Sequence, residues 1–329
     1  MTVLVTGAAG FIGFHVCQAL VKRGERVVGV DNLNDYYDVS LKKARLAVLK
    51  DEDGFSFERL DIAERADVDS LIKNHGDIDR IVHLAAQAGV RYSLIDPYAY
   101  TRANIEGHLV LLEACRRLKP FHHMVYASSS SVYGSNEKMP FAVDDRTDSP
   151  LSLYGATKKA MEVMSHAYAH LFELPQTGLR FFTVYGPWGR PDMAAFIFVR
   201  KILAGEPIPV FNNGDMKRDF TYIDDIVDGV LRCLDHPPSI GKKGDGPPCR
   251  LYNIGNSRSE NLMDFIALIE RELGKKAGIA FKPMQPGDVK ETYSDIADAR
   301  RDFGYMPKTT IEEGIPRFVR WYRNYYENY

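Results

Sequence analysis

The run Val3-Leu4-Val5 leads directly into Gly7-Ala8-Ala9-Gly10-Phe11-Ile12-Gly13, and a helix-like stretch from Phe14 to Arg23 follows. An apolar run, a glycine-rich turn and a helix together form the opening of a dinucleotide-binding unit. In such a unit Gly7 permits the tight turn, Gly10 lets the backbone approach a pyrophosphate, and Gly13 lets the helix pack on the strand. A glycine turn alone also suits an ordinary strand-to-helix loop. Here a second apolar run, Arg26 to Val30, ends at Asp31, about where an acid accepts hydrogen bonds from an adenosine ribose. A carboxylate there repels a 2′-phosphate, and no Arg or Lys follows until Lys42, so NAD is expected rather than NADP.

Composition narrows the partner. The chain has 329 residues, 45% of them apolar, enough for a large core and about two domains. A net charge of −2 implies no broad attraction to nucleic acid or to an anionic membrane, which leaves a small molecule as the expected partner. Cys17, Cys115, Cys233 and Cys249 are far apart, which suits a reducing compartment and neither zinc nor a disulfide framework. No secretory h-region and no run of about eighteen apolar residues is visible, so a cytoplasmic protein is expected.

From Thr2 to about Phe182, short apolar runs alternate with longer helical patterns, the sign of a parallel sheet covered by helices. The strand candidates are Val3 to Thr6, Arg26 to Val30, Ser56 to Arg59, Arg80 to Leu84, His123 to Ala127 and Thr177 to Phe182. After Gly186 the pattern loosens, with loop chemistry in Gly186-Pro187-Trp188-Gly189-Arg190-Pro191 and again at Pro237-Pro238, Gly241 to Pro248 and Pro283 to Gly287. The Gly241 to Pro248 stretch reads as a surface loop. The expected fold class is α/β: a Rossmann-type doubly wound parallel sheet with a smaller C-terminal substrate-binding α/β domain across the carboxyl ends of the strands.

Tyr154 and Lys158 share a face of the helical segment that continues through Met161, Met164, Tyr168 and Leu171. Alone, the pair also fits a surface aromatic stacked on a lysine stem. Upstream, however, His123-Met124-Val125-Tyr126-Ala127 is followed by four serines, Ser128 to Ser131, and then Val132-Tyr133-Gly134. A glycine turn, a serine-rich strand end and a Tyr-x-x-x-Lys helix in this order resemble the extended short-chain dehydrogenase/reductases, the nucleotide-sugar epimerase and dehydratase family. Further segments similar to that family are His83-Leu84-Ala85-Ala86-Gln87, Leu179-Arg180-Phe181-Phe182, Arg218-Asp219-Phe220-Thr221-Tyr222-Ile223-Asp224-Asp225 and Pro286-Gly287-Asp288.

The resemblance implies a division of labour. Residues 1–182, with a returning segment at about 218–255, would form the NAD-binding Rossmann domain, and 183–329 would mainly bind a nucleotide sugar. Tyr154 would be the general base, Ser129 would hydrogen-bond the reacting hydroxyl, and Lys158 would lower the phenol pKa and hold the nicotinamide ribose. The implied cofactor site is Gly7, Gly10, Phe11, Ile12, Gly13, Asp31, Asn32, Asp61, Ile62, Leu84, Ala85, Ala86, Gln87, Asn104, Tyr154, Lys158 and Phe181. Arg91, Ser129, Ser130, Tyr154, Thr183, Arg190, Arg218 and Asp288 would hold the substrate, with no metal. The helices around Tyr98 to Leu118 and after Ser152 resemble the family's dimer-forming pair, so a homodimer is expected.

Which reaction follows the shared oxidation at C4 depends on the residues beside Ser129. The family's dehydratases carry an Asp-Glu pair, and its decarboxylases a Glu, where this chain has Ser130 and Ser131; serines lack the pKa for that proton work. Epimerisation at C4 remains. Asp31 to Tyr37, Ala88 to Ser93 and Thr183 to Met193 resemble the branch acting on UDP-glucuronate and forming UDP-galacturonate. Arg190, or else Arg91, would pair with the C6 carboxylate, Arg218 with the pyrophosphate and Asp288 with the uridine ribose. Gln285 stands where neutral-hexose epimerases have an arginine, leaving the second phosphate contact open. The alternatives are a UDP-hexose 4-epimerase, a UDP-glucuronate decarboxylase and a non-catalytic dinucleotide sensor. His122-His123 reads as a solvated strand start, Asp224-Asp225 as a helix cap, and the tail Trp321 to Tyr329 as packing.

Overall fold

The computed structural model describes residues 2–239 and 246–326. A seven-stranded parallel sheet has the order β11-β6-β5-β4-β1-β2-β3. Its first six strands in sequence are β1 (Thr2–Thr6), β2 (Arg26–Asp31), β3 (Phe55–Arg59), β4 (Ile78–His83), β5 (His123–Ser129) and β6 (Gln176–Phe181). Each overlaps its sequence-based counterpart; β1, β2, β4, β5 and β6 are buried at nearly every residue, as strands covered on both faces are, while the edge strand β3 has no buried residue. The order reverses between β1 and β4, the switch point at which doubly wound sheets bind ligands.

Helices α1 (Phe11–Lys22), α2 (Val39–Lys50) and α3 (Arg65–Asn74) connect the first four strands. The β4–β5 connection holds α4 (Pro97–Tyr100), a π-helical turn over Thr101–Glu106 and α5 (Gly107–Cys115), and α6 (Leu153–Phe172) leads into β6. Phe14, Cys17 and Leu20 of α1 pack on one face of the sheet, while Leu111, Leu112 and Met161 of α5 and α6 pack on the other.

The later chain supplies β7 (Thr183–Tyr185), α7 (Ala194–Ala204), β8 (Ile208–Phe211), β9 (Lys217–Arg218), β10 (Phe220–Tyr222) and α8 (Ile223–Leu234). It then gives the seventh sheet strand, β11 (Cys249–Ile254), which lies beside β6. The rest is β12 (Glu260–Asn261), α9 (Leu262–Leu273), β13 (Ile279–Lys282), α10 (Ala297–Phe303) and α11 (Ile311–Tyr326). Pairs β7–β10, β8–β13 and β9–β12 are small ladders beside the main sheet, over the carboxyl ends of its strands.

Two local readings change. His123 is fully buried, bonded to Leu234 O and Thr177 Oγ1, while His122 alone is exposed. Asp225 does not cap its own helix; its carboxylate accepts the amides of Lys308 and Thr309. Residues 241–245 of the expected surface loop lie outside the described residues, as do residues 327–329 of the tail. The rest of the tail is packed: Trp321 and Tyr322 join Phe196 and Phe318 in an aromatic cluster.

One buried ion pair fastens an inner strand of the sheet to its helix. Arg180 of β6 meets Glu162 of α6 through Nε–Oε1 at 2.8 Å and Nη2–Oε2 at 2.9 Å, and both side chains are 2% exposed. Ser128 donates its hydroxyl to Glu162 Oε1, and the remaining Arg180 Nη1 donates to Tyr133 OH and Val143 O. Breaking such a pair leaves a buried charge uncompensated, so Glu162→Gln should lower unfolding free energy in urea by about 3–5 kcal/mol. Arg146→Ala, which removes an exposed pair with Asp148, should stay within about 0.5 kcal/mol of wild type.

Candidate active site

The carboxyl ends of the strands open into one cleft of about 750 Å³. Nearly every residue expected in a site lines it, although they come from segments more than a hundred residues apart. On one side lie Gly7, Gly10, Phe11, Ile12 and Gly13, then Asp31, Asn32, Asp61 and Ile62, with Leu84 to Gln87 and Phe181 beneath. On the other lie Arg91, Thr183, Arg190, Arg218 and Asp288, and between the two groups stand Ser129, Ser130, Tyr154 and Lys158.

The dinucleotide turn follows from backbone constraints. Gly7 has φ +74, and a Cβ at Gly13 would lie 2.0 Å from Gly7 O, so helix α1 can start this close to β1 only without a side chain. Gly10 is the N-cap of α1 and offers no side-chain cap, leaving the first amides of the helix available to an anion. Asp31 accepts from the amides of Ala9 at 3.2 Å and Leu33 at 2.8 Å, one on each oxygen, which leaves lone pairs for ribose hydroxyls. Gln87, at the cleft wall, has its Nε2 buried beside the Tyr100 hydroxyl.

At the centre, Ser129 ends β5 and Tyr154 and Lys158 lie on the first turns of α6, which Ser152 caps through the Gly155 amide. Tyr154 is half-buried; burial raises its pKa and the neighbouring Ser129 hydroxyl opposes that rise. Lys158 is 2% exposed, donates to Ala127 O at 2.8 Å, and is pulled down to about 7 by burial. Desolvation thus acts against the ammonium and the phenolate alike. A charge on either group favours the opposite charge on the other, so the two form most readily together.

Residues 3–255 match the model of the NAD dependent epimerase/dehydratase family. The chain belongs to this family. It is 50% identical to UDP-glucuronate 4-epimerase 1 of Arabidopsis thaliana over 99% of this chain and 77% of that protein. To a probable UDP-glucuronate 4-epimerase of Rhizobium meliloti it is 46% identical, over 99% of this chain and 98% of the relative. Among solved structures, the UDP-glucuronic acid 4-epimerase of Bacillus cereus in complex with UDP-glucuronic acid and NAD superposes with a TM-score of 0.90 at 36% identity, covering 99% and 100% of the two chains.

The residues present fit NAD. The close glycine turn, the open helix amides and the Asp31 carboxylate all line this one cleft. Asn104 is the exception among the expected cofactor residues. It does not line the cleft; the π-helical turn directs it inward, where it bonds Gln87 N, Gln87 O and Thr157 Oγ1 and so braces the wall instead.

The substrate side differs from expectation at Arg91. It pairs with Asp288 at 3.4 Å, stacks over Phe211 at 4.6 Å and lies near enough to Arg218 to lower that guanidinium's pKa, after the larger effect of burial. Arg91 therefore stands with the residues expected to hold the nucleotide. Arg218 is fixed by its neighbour Asp219, whose buried carboxylate accepts the amides of Asn256, Ser257 and Ser294.

Sequence reading missed two groups that shape the cleft. Arg45 is fully buried and joins the dinucleotide turn, through Ala9 O at 2.9 Å, to the loop before Arg190, through Trp188 O at 2.6 Å. A cue was present: Arg45 lies midway between Leu41 and Leu49 on the buried stripe of α2. Tyr100, also buried, donates to Ala88 O at 3.0 Å and sets its ring 6.1 Å from that of Tyr154.

The Lys158 environment sets a pH dependence. Its folded pKa lies below its ordinary value of 10.5, so below about 7 both folded and unfolded chains carry the proton and the burial cost is fully felt. As pH rises from about 7 toward 10, only the unfolded chain still holds the proton, and stability relative to Lys158→Met should rise, by at most about 1.4 kcal/mol per pH unit. Denaturant titrations of the two proteins across that range check this; a constant difference would contradict it.

Proposed function

We propose that this chain interconverts UDP-glucuronate and UDP-galacturonate by epimerisation at C4 through a 4-keto sugar. The observation that carries the reading is the Tyr154, Ser129 and Lys158 set beside Ser130 and Ser131 in a single cleft with a dinucleotide turn. Full-length likeness to named UDP-glucuronate 4-epimerases supports the substrate. NAD, when bound, accepts the C4 hydrogen with its electron pair and returns it, so the reaction is redox-neutral.

The chain's own residues do the rest. Tyr154 takes the proton of the 4-hydroxyl and returns it to the same oxygen once C4 has been inverted, with Ser129 holding that oxygen and Lys158 supporting the phenolate. Arg218 and Arg91 together offer the pyrophosphate two guanidiniums, which answers the missing arginine at Gln285, and Asp288 offers a carboxylate to the ribose. Thr183 and Ser130 face the C6 side with Arg190. No acid stands at Ser130 or Ser131 to support elimination or loss of carbon dioxide.

In this reading residues 1–182 with about 218–255 bind the cofactor and the remainder mainly the sugar nucleotide. The enzyme works in the cytoplasm, in keeping with four unpaired thiols. It forms a homodimer through α5 and α6, where Leu109, Val163 and Leu171 are 40%, 58% and 65% exposed. No described helix is long and apolar enough to cross a membrane. Val163→Glu with Leu171→Glu should yield monomers by sedimentation; an unchanged mass would place the interface elsewhere.

NMR of purified protein with UDP-glucuronate and no added cofactor should show UDP-galacturonate appearing. Release of carbon dioxide with a pentose product would make it a decarboxylase, and turnover of UDP-glucose alone a neutral-hexose epimerase. Tyr154→Phe should keep its fold and its NAD while turnover falls by about 10² to 10⁴. Near-wild-type turnover in that variant would remove Tyr154 from the reaction.

A further inference from the structure

The Arg190 guanidinium already holds a carboxylate. Its Nε donates to Asp192 Oδ1 at 3.0 Å and its Nη2 to Asp192 Oδ2 at 2.5 Å, the two-pronged geometry that a carboxylate ligand would itself adopt. Tyr36 donates its hydroxyl to the same Oδ2 at 3.1 Å. Both side chains of the pair face the cleft, with 21% and 29% of their surface exposed. A uronate arriving here therefore meets a nearly neutral pair and not an isolated cation.

We propose that Asp192 is an internal competitor for the substrate carboxylate, a positioning residue that limits how tightly Arg190 grips the C6 group. The inference rests on the UDP-glucuronate reading above and adds a reason for the pair. Epimerisation requires the 4-keto sugar to turn its opposite face toward the same catalytic groups. An unopposed guanidinium–carboxylate contact in a cleft shielded from water would resist that turn. With Asp192 sharing Arg190, the carboxylate is recognised by geometry and released at small cost.

Two rival roles make different demands. If Asp192 only anchors Arg190, losing it disorganises the guanidinium and weakens binding of the uronate. If Asp192 transfers protons near Tyr154, losing it slows every substrate alike and leaves affinities unchanged. The competitor role predicts tighter uronate binding, slower uronate turnover and an unaffected neutral sugar.

The test is calorimetric titration and steady-state kinetics of the NAD-loaded protein with UDP-glucuronate and UDP-glucose. In Asp192→Asn, Kd for UDP-glucuronate should fall roughly tenfold, the scale of one charge-assisted hydrogen bond, with kcat for that substrate lowered and Kd for UDP-glucose within about twofold of wild type. Tyr36→Phe removes a donor from Asp192, concentrating its charge on Arg190, so UDP-glucuronate should bind several-fold more weakly there and UDP-glucose as before. Unchanged or weaker uronate binding in Asp192→Asn, or parallel shifts for both sugars, overturns the assignment. Should Asp192→Asn fail to fold, Tyr36→Phe decides by itself, because unchanged or tighter uronate binding in it is equally fatal. Wild-type turnover of UDP-glucuronate alongside either of those results would defeat the Asp192 role alone, whereas a wild-type protein that binds only UDP-glucose would defeat the functional reading and this inference together.

Discussion

The ion pair between Arg180 and Glu162 is the constraint on which the reacting end of the cleft depends. A buried pair is tolerable only when the hydrogen-bonding capacity of both partners is met, and here it is spread over four elements. Glu162 takes the Arg180 guanidinium and the Ser128 hydroxyl, while Arg180 also serves Tyr133, which bonds Asn253 of β11. Ser128 is thereby tied to α6 immediately before Ser129. Tyr154, Lys158 and Glu162 follow one another at one-turn spacing along the same helix. A single face of α6 thus carries the hydroxyl, the amine and the anchor that fixes both against the strand end.

That arrangement explains why the catalytic set was legible in sequence while its surroundings were not. Tyr154 and Lys158 are related by helical spacing, and Ser129 by its place at the end of an apolar run, so both signals are local. The bonds of Tyr36 to Asp192 and of Arg45 to Trp188 are not. Tyr36 lies 156 residues from Asp192 in the chain and Arg45 lies 143 from Trp188, and no periodicity records such contacts. Asn104 was assigned to the cofactor by resemblance, but a π-helical turn rotates it into the protein.

The strands show the same division. Of the first six strands, β1, β2 and β5 carry near-continuous apolar runs that announce themselves, while β3, Phe-Ser-Phe-Glu-Arg, shows only an edge strand's alternation. β11, Cys-Arg-Leu-Tyr-Asn-Ile, mixes polar and apolar residues at the sheet edge, and its Asn253 is spent on Tyr133, Phe141 O and Asp295 O. A strand whose polar residues have distant partners carries no strand-like pattern of its own. His123 and Asp225 were misjudged for the same reason: a polar residue whose bonds are met elsewhere in the fold can be buried at little cost.

The cleft separates charge from chemistry. Its formal charges lie at the flanks, in Arg91 and Arg218 with Asp288 on one side and in Arg190 with Asp192 on the other. Between them, burial opposes charge on both Tyr154 and Lys158. A permanently ionised phenolate would need a fixed cation beside it, and that cation would hold the proton acceptor at one setting through both halves of an epimerisation. A phenolate that forms only together with its neighbouring ammonium can take the proton from the 4-hydroxyl oxygen and give it back to that oxygen with little bias, because burial opposes the charged pair and locks neither state. The flanking Arg190 and Asp192 act on Tyr154 with opposite sign, the guanidinium favouring its phenolate and the carboxylate opposing it, so the pair orients the anionic substrate while partly cancelling at the group that must change its protonation twice in each turnover.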